Sequence, residues 1–402
     1  MKILVITNYY KPAYTYGGPI RSISALYEAL AYLDIQVTVF TTNANGDKRL
    51  DVPLEQPVEV DGVEVFYFPL LAESTLLGRF HLSPRLGKAC QRQIRDFDIV
   101  SLQDIWTYPM WSAAKYCKRN KIPYVVTPRG TLMPGAIRKG QFKKQVYLTL
   151  FARTLLNQAA AIHCTDPMEL SAISTFNFKA PMFVVPNSVD HSKYETMPPR
   201  GMLRERFGIS DEASILLMLG RIHEKKSPDI AVKALAAAQS LPQNVHLVVA
   251  GPDERDMKSG LQSLAVELGC ENYLHFTGLL DSDGVLKALS DADLLLMPSI
   301  PYSENFGMSA AEALASGVPI LVTEGMPVGV WAEKGGAGRI SSHAPTAFAQ
   351  AVCDLLAEPE QLSAMAKRGP EVVKQNFEIS VVARQVITEY QTILSGNHRS
   401  AN

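Results

Sequence analysis

Ser303-Glu304-Asn305-Phe306-Gly307-Met308-Ser309-Ala310-Ala311-Glu312-Ala313-Leu314-Ala315-Ser316-Gly317-Val318-Pro319 reads as a loop, a helix from about Met308, a glycine stop and the start of a strand that continues through Ile320, Leu321 and Val322. Gly317 marks the stop because glycine takes the left-handed conformation that closes a helix without steric penalty. Just upstream, Leu294-Leu295-Leu296-Met297 is an unbroken apolar run. Strand, helix and strand in so short a span make a βαβ unit, and continuous apolar strands belong to parallel sheets covered on both faces.

The same alternation extends in both directions. Strand candidates precede it at 215–219, 245–249 and 273–276, and across the first half at 2–7, 36–42, 62–68, 98–103, 123–127, 160–165 and 181–185. The alternation breaks at the turn cluster Pro186-Asn187-Ser188-Val189-Asp190 and the charged stretch 193–209 with its Pro198-Pro199 pair, which predicts an inter-domain linker. After about 345 the pattern turns helical, with Phe348, Val352, Leu355 and Leu356 on a 3.6-residue stripe. The expected fold is α/β, two tandem doubly wound Rossmann-like domains facing a cleft. Residues 1–190 and 191–376 are the two domains. Ligands of such sheets sit outside the carboxyl ends of the strands.

Composition agrees with a globular chain: 402 residues, 47% hydrophobic, 20% charged, net charge −1. A near-neutral balance argues against a nucleic-acid binder. The halves differ, with six more basic than acidic residues over 1–190 and seven more acidic than basic over 191–402. Nine cations face one acid, Asp104, between 101 and 150. Five scattered cysteines without a C-x-x-C pair indicate neither a disulfide framework nor a zinc site, so a reducing cytoplasm is expected. No apolar run approaches the ~18 residues of a spanning helix.

Three segments can carry chemistry. In the first, the helix opening at Met308 offers unpaired amides to an anion, Gly307 permits close backbone approach, Glu304 can accept hydrogen bonds from hydroxyls, and Glu312 stands one turn inside among apolar neighbours. Either glutamate alone is read more simply as an ordinary helix charge. The second, Gly220-Arg221-Ile222-His223-Glu224-Lys225-Lys226, follows the first strand of the second domain, where Arg221 can grip phosphate oxygens bidentately and Lys226 can add a point charge. A lone basic pair there is more often a solvated loop. The third, Gly17-Gly18-Pro19 after strand one, is a turn that can bring amides to a ligand.

Taken in order, Gly17-Gly18, Pro186-Asn187-Ser188-Val189-Asp190, Gly220-Arg221 with Lys226, Ala250-Gly251-Pro252 and Glu304 followed by Glu312 resemble the family 4 glycosyltransferases of the GT-B fold, retaining enzymes of the kind that build bacterial polysaccharides from nucleotide sugars. The resemblance covers nearly the whole chain. It implies that Arg221 and Lys226 hold the donor diphosphate and that Gly18 offers an amide to the distal phosphate. It also implies that Glu304 holds sugar hydroxyls, that Asn305, Phe306, Gly307 and Met308 meet sugar and phosphate through their amides, and that Glu312 binds the ribose diol. Gly278 and Leu279 lie where such enzymes hold the base. The last helix, about 377–394, is expected to cross back to the first domain. UDP-glucose is the expected donor, a polysaccharide or lipid-linked oligosaccharide the expected acceptor, and no metal is expected.

Two cations and a helix N-terminus can stabilise a leaving diphosphate without a metal. Asp281-Ser282-Asp283 and Asp291-Ala292-Asp293 do match the Asp-x-Asp spacing of metal-dependent transferases, but both fall at helix ends where Asp is common. The chain departs from the family at Arg129, which stands where many members carry a histidine, and at Ser227, where glycine is usual. Arginine cannot act as a general base. It can hold phosphate or acceptor, leaving the departing phosphate, Asp104 or His163 as proton acceptors, with His163 better read as a core residue. Residues 138–158 interleave cations with Phe142, Val146, Tyr147, Leu150 and Phe151 and can dock an anionic membrane surface, or equally form a solvated face over a buried stripe. Two other readings stay open: a two-domain NAD oxidoreductase, which the absence of Gly-x-Gly-x-x-Gly after Ile6 opposes, and a non-catalytic nucleotide-sugar-binding subunit.

Overall fold

A computed structural model describes residues 1–16, 18–46, 48–71, 80–138, 147–148, 152–253 and 255–396. The chain divides into unit 1, Met1–Ser188 with Ile379–Asn402, and unit 2, Val189–Glu378. The divisions lie within two residues of 190 and 377.

Unit 1 runs β1 (Lys2–Ile6), α1 (Gly18–Tyr32), β2 (Gln36–Thr42), β3 (Ala44–Asn45), β4 (Lys48–Arg49), β5 (Pro57–Val60), β6 (Val63–Phe68), α2 (Pro84–Gln93), β7 (Ile99–Leu102), α3 (Tyr108–Asn120), β8 (Tyr124–Val126), α4 (Pro134–Arg138), α5 (Arg153–Asn157), β9 (Ala161–Cys164), α6 (Pro167–Ser174) and β10 (Met182–Val184). Its main sheet has the order β10-β9-β8-β7-β1-β2-β6-β5. Every pair in it is parallel except β5–β6. β1 lies at the centre, and Ile3, Leu4, Val5 and Ile6 are fully buried. Each contributes roughly 1.5–3 kcal/mol over an exposed side chain.

Unit 2 runs α7 (Met202–Phe207), β11 (Ser214–Leu219), α8 (Pro228–Ala238), β12 (Val245–Ala250), α9 (Lys258–Glu267), β13 (Leu274–Gly278), α10 (Ser282–Asp291), β14 (Leu294–Met297), α11 (Met308–Ala315), β15 (Ile320–Thr323), α12 (Pro327–Lys334), β16 (Gly338–Ser341), α13 (Pro345–Ala357) and α14 (Pro359–Asn376). All pairs of its sheet, β13-β12-β11-β14-β15-β16, are parallel. The final helix, α15 (Ile379–Leu394), belongs to unit 1 and packs beside α1.

Helices cover both faces of each sheet. In unit 1, α2 and α3 close one face with Leu86, Cys90, Met110 and Cys117, and α1 and α15 close the other with Ile23, Tyr27, Val386 and Tyr390. In unit 2, α10, α11, α12 and α14 lie over one face and α8, α9 and α13 over the other.

Several elements go beyond the sequence reading. β5 alternates exposed with half-buried residues, β3 and β4 are two-residue strands, and β16 carries Arg339 and Ser341 at a sheet edge, so none presents an apolar run. Most of 138–158 lies outside the described residues. Of the part described, Tyr147 packs against Trp106 and Phe80 and donates its hydroxyl to the Ile105 carbonyl, while Leu148 joins the core.

Candidate active site

The site in unit 2 is built at the carboxyl ends of its central strands. β11 and β12 end side by side: the Gly220 amide donates to the Ala250 carbonyl at 2.8 Å and the Ile222 amide to the Pro252 carbonyl at 2.9 Å. Gly251 has φ +156, and a Cβ there would lie 1.9 Å from the Gly220 carbonyl oxygen, so no side chain fits where the two loops touch. The turn Glu224–Lys226 is a single 3-10 turn, capped at its start by His223, whose Nδ1 accepts the Lys225 amide at 3.1 Å. The Ile300 amide donates to the Lys225 carbonyl, tying this turn to the loop that follows β14.

That loop carries Glu304. Its carboxylate lies 3.0 Å from Lys226 Nζ, and both side chains are about one-fifth exposed. Arg221 is exposed at the same strand end, and the Lys226 stem passes the Gly220 position. Positive charge is concentrated here. His223 is held below its usual pKa first by burial and then by Arg255, Arg221 and Lys225.

Three residues beyond Glu304, Gly307 (φ +95) caps α11 with no side-chain hydrogen bond; its carbonyl accepts the Ala310 and Ala311 amides, which leaves the Met308 and Ser309 amides with no intrahelical carbonyl or capping oxygen to bond. A Cβ at Gly307 would lie 2.8 Å from Met326 Sδ and 2.8 Å from Val328 Cγ1. The Phe306 ring is buried edge-on to Phe377 and its carbonyl accepts from the Val328 amide, so the ring itself is closed to a ligand. Asn305, Met308 and Glu312 are half-buried on the same loop and helix. Gly278 ends β13 at φ +73, and Leu279 beside it is 79% exposed, an apolar side chain standing free at a strand end.

Ser227 occupies the left-handed region (φ 45, ψ 55), which accounts physically for a position where glycine is common. Its hydroxyl lies 2.9 Å from His343 Nε2 in the loop after β16. Nothing in the sequence pattern singles out His343.

Both Asp-x-Asp pairs are engaged within the fold. Asp281 caps α10 by accepting the Gly284 amide, and Asp283 pairs with Lys287. Asp291 is fully buried and accepts the Gly201 and Leu203 amides at the start of α7, while Asp293 accepts the Ile215 amide and pairs with Arg200.

In unit 1, Gly18 opens α1, and Gly17 lies outside the described residues. Arg129 follows β8 in the left-handed region at φ 52. Its guanidinium donates to Gln103 Oε1 at 2.8 Å, Asn187 Oδ1 at 3.0 Å and Ser22 Oγ at 3.1 Å. Burial works against its charge, and Tyr27 and Glu169 oppose that effect. Glu169, also buried, accepts the Gly130 amide and both the amide and hydroxyl of Thr165, which holds the Arg129–Gly130 turn from beneath. The sequence reading does not single out Gln103 or Glu169. The Asp166-x-x-Glu169 spacing at a helix start was the available signal.

His163 is a core residue: Nε2 lies 2.7 Å from the Val185 carbonyl, the ring stacks on Phe183 at 4.9 Å, and burial lowers its pKa to about 4. Asp104 accepts the Ile105 and Trp106 amides and Asn8 Nδ2, so its oxygens are occupied within unit 1.

Comparison with known proteins gives matches over both halves. Residues 17–188 match the family model "Glycosyl transferase 4-like domain" and 200–372 match "Glycosyl transferases group 1". A D-inositol 3-phosphate glycosyltransferase of Streptomyces griseus is 32% identical over 211 residues, 50% of this chain and 44% of that protein. One of Streptomyces bingchenggensis is 26% identical over 363 residues, 85% of this chain and 78% of the relative. The chain thus spans less than half the length of the first of these relatives. Among solved structures, Anabaena HepE in complex with UDP and glucose superposes with a TM-score of 0.75 at 21% identity, over 98% of this chain and 100% of that one. Sucrose-phosphate synthase of Thermosynechococcus elongatus does so at 0.76 and 18% identity, over 98% and 99%. With each half matched by a glycosyl transferase model and each folded as a parallel α/β sheet, the chain belongs to the family 4 glycosyltransferases of the GT-B fold.

Proposed function

We propose that the chain is a retaining glycosyltransferase that moves a hexose, glucose from UDP-glucose, onto a polysaccharide or lipid-linked oligosaccharide acceptor. One observation carries the reading: Lys226 and Glu304, from separate loops, lie 3.0 Å apart beside the uncapped N-terminus of α11. A phosphate-binding cation, a hydroxyl-binding carboxylate and orphan amides thereby converge at one strand end, as a sugar diphosphate requires. Similar structures support the donor class, since those of HepE hold UDP, glucose and UDP-glucose. A glycosyltransferase name recurs among the sequence relatives.

In this reading Arg221 and Lys226 hold the diphosphate, and the α11 amides add fixed partial positive charge. As the glycosidic C–O bond breaks, the electron pair goes to the diphosphate oxygen, where these groups stabilise the growing charge without a metal. Glu304 fixes the hexose through its hydroxyls, Glu312 takes the ribose diol, and the exposed Leu279 with the Gly278 backbone receives the base. Gly251 keeps the β12 loop close against Gly220, so the strand ends form one continuous floor. The acceptor falls to unit 1. Arg129 there is a positioning cation, and the acceptor proton leaves to the departing phosphate, because a guanidinium cannot accept it.

Calorimetric titration with UDP in EDTA, with NAD, GDP and ADP as comparators, tests the reading. Saturable UDP binding without metal is the expected result, followed by transfer from UDP-glucose. Binding of NAD alone would return the oxidoreductase reading, and UDP binding with no transfer to any glycan acceptor would favour a non-catalytic binding subunit.

A further inference from the structure

We infer that His343 is a positioning residue for the diphosphate-binding cation Lys226, acting through the hydroxyl of Ser227; the inference rests on the donor site proposed above. Ser227 joins the Glu224–Lys226 turn to Pro228, the first residue of α8. Its backbone is unfavourable on two counts. A residue other than glycine in the left-handed region, here φ 45 and ψ 55, is disfavoured by roughly tenfold. A residue before a proline is also pushed toward extended backbone by contact with the proline ring. Such a conformation persists only where the surroundings hold it. Glycine would take it freely, so with serine at this position the side chain has to supply the support.

The hydroxyl shows where that support comes from. A serine that precedes a helix ordinarily turns its oxygen back to an amide of the first turn. Ser227 precedes α8 and makes no capping bond; its hydroxyl lies instead 2.9 Å from His343 Nε2. The residue is 6% exposed, so water is a poor substitute for the imidazole. His343 belongs to a different strand-to-helix connection, between the end of β16 at Ser341 and the start of α13 at Pro345. α13 packs beside α8 on one face of the sheet. In a parallel sheet both helices begin at the carboxyl edge, which brings the 342–344 loop to the turn before α8.

The turn keeps its own shape through backbone bonds, with the Lys226 amide donating to the His223 carbonyl at 2.8 Å and the Ser227 amide to the Glu224 carbonyl at 3.1 Å. Its angle to α8 is left to the Ser227 dihedrals. The Ile300 amide holds the far side of the turn through the Lys225 carbonyl, and the Ser227–His343 bond holds the near side. Between these two ties the Lys226 stem passes 3.9 Å from where a Gly220 Cβ would stand and its ammonium reaches Glu304 at 3.0 Å. Relaxation of Ser227 to extended backbone swings the turn about its junction with α8 and takes the ammonium from the place where the diphosphate meets it.

The test is calorimetric titration of the full chain and its variants with UDP in EDTA. His343→Leu and Ser227→Ala should each weaken UDP about tenfold, the factor by which the left-handed backbone is disfavoured once its support is gone. His343→Gln, whose amide can donate or accept near the Nε2 position, should bind within about threefold of wild type. Two backgrounds separate positioning from general stability. On Ser227→Gly, where the backbone is free of strain, His343→Leu should cost less than about threefold. On Lys226→Met, where no ammonium remains to be placed, it should also cost less than about threefold. Thermal unfolding establishes that each variant is folded, and Ser227→Ala, which loses a single oxygen atom, carries the test if His343→Leu does not fold. Unchanged UDP affinity in the folded variants, or a loss of the same size on Ser227→Gly or Lys226→Met, would overturn the inference while leaving the donor reading in place. A wild-type chain that binds no UDP would overturn the donor reading and this inference with it.

Discussion

The ion pair between Lys226 and Glu304 makes opposite demands on binding and on turnover, and that separates their roles. In the structure Glu304 neutralises part of the charge that Lys226 offers a diphosphate. Glu304→Ala removes the contact to the sugar but frees the ammonium, so UDP affinity should hold or rise while kcat for transfer falls about a hundredfold or more. Lys226→Met removes a charge-assisted contact of roughly 1.5–3 kcal/mol, so UDP should bind about ten- to a hundredfold more weakly. Titration calorimetry and initial rates on the two variants decide the matter, and a Glu304→Ala variant with unchanged kcat would remove that residue from the site. The pairing itself was not legible in the sequence, because the two residues lie in different loops and only the parallel order β11-β14 brings those loops together. The residue types were legible, since a cation after a strand and a carboxylate before a helix each have a physical reason to be there. Ser227 shows the opposite case. As a letter it is a departure from glycine, and its strained backbone and its bond to His343 appear only in three dimensions.

At the scale of elements, burial decides what a sequence shows. β1, β11, β14 and β15 carry unbroken apolar runs (3–6, 215–219, 294–297 and 320–322) because both sheet faces are covered, whereas β16 and β5 lie at sheet edges and carry polar residues. Helix α11 starts where a left-handed residue is required. Gly307→Ala would combine the strain of φ +95 with close contacts to Met326 and Val328, and should destabilise unit 2 by about 2 kcal/mol or more. Because the same change tilts the amides of α11, UDP affinity should fall with the melting temperature, as calorimetry and thermal denaturation can follow. The β12–β13 pair gives a second expectation. His246 Nδ1 and His275 Nε2 lie 3.0 Å apart, His275 stacks on Phe207, and burial followed by the neighbouring His246 lowers the His275 pKa to about 4. The unfolded chain then takes up protons first as pH falls, so this pair's contribution is complete above about pH 6.5 and is lost progressively toward pH 4. Since both rings are partly exposed, the effect is on the order of 1 kcal/mol. Denaturant unfolding between pH 7 and 4 should show a shallower slope when both histidines are replaced by phenylalanine.

On the scale of the whole molecule, chain connectivity makes the two units unequal. Unit 2 is one continuous segment, whereas unit 1 takes its last helix from the far end of the sequence. The helical periodicity after 345 shows that α15 exists and is silent about which sheet it covers. Its buried residues Val382, Ala383, Val386, Tyr390 and Ile393 belong to the unit 1 core, and the Tyr390 hydroxyl donates to Ser101 Oγ on β7 at 3.0 Å. The four larger side chains alone stand for several kcal/mol of burial at roughly 1.5–3 kcal/mol each, against a typical domain stability of about 5–15 kcal/mol. Removing 379–402 also exposes the faces of Tyr27 and Leu30 that α1 turns toward the core. Such a truncation should therefore leave unit 1 unfolded or molten while unit 2 keeps its own sheet and the Lys226–Glu304 site. The expected result is protease sensitivity confined to residues 1–188, with UDP binding within a few-fold of the full chain and transfer abolished. The converse fragment, 189–378, should fold and bind UDP by itself, because apart from the Gly18 amide every group assigned to the nucleotide and sugar lies within it. Failure of that fragment to bind UDP, when folded by circular dichroism, would show that the donor site needs unit 1 as well.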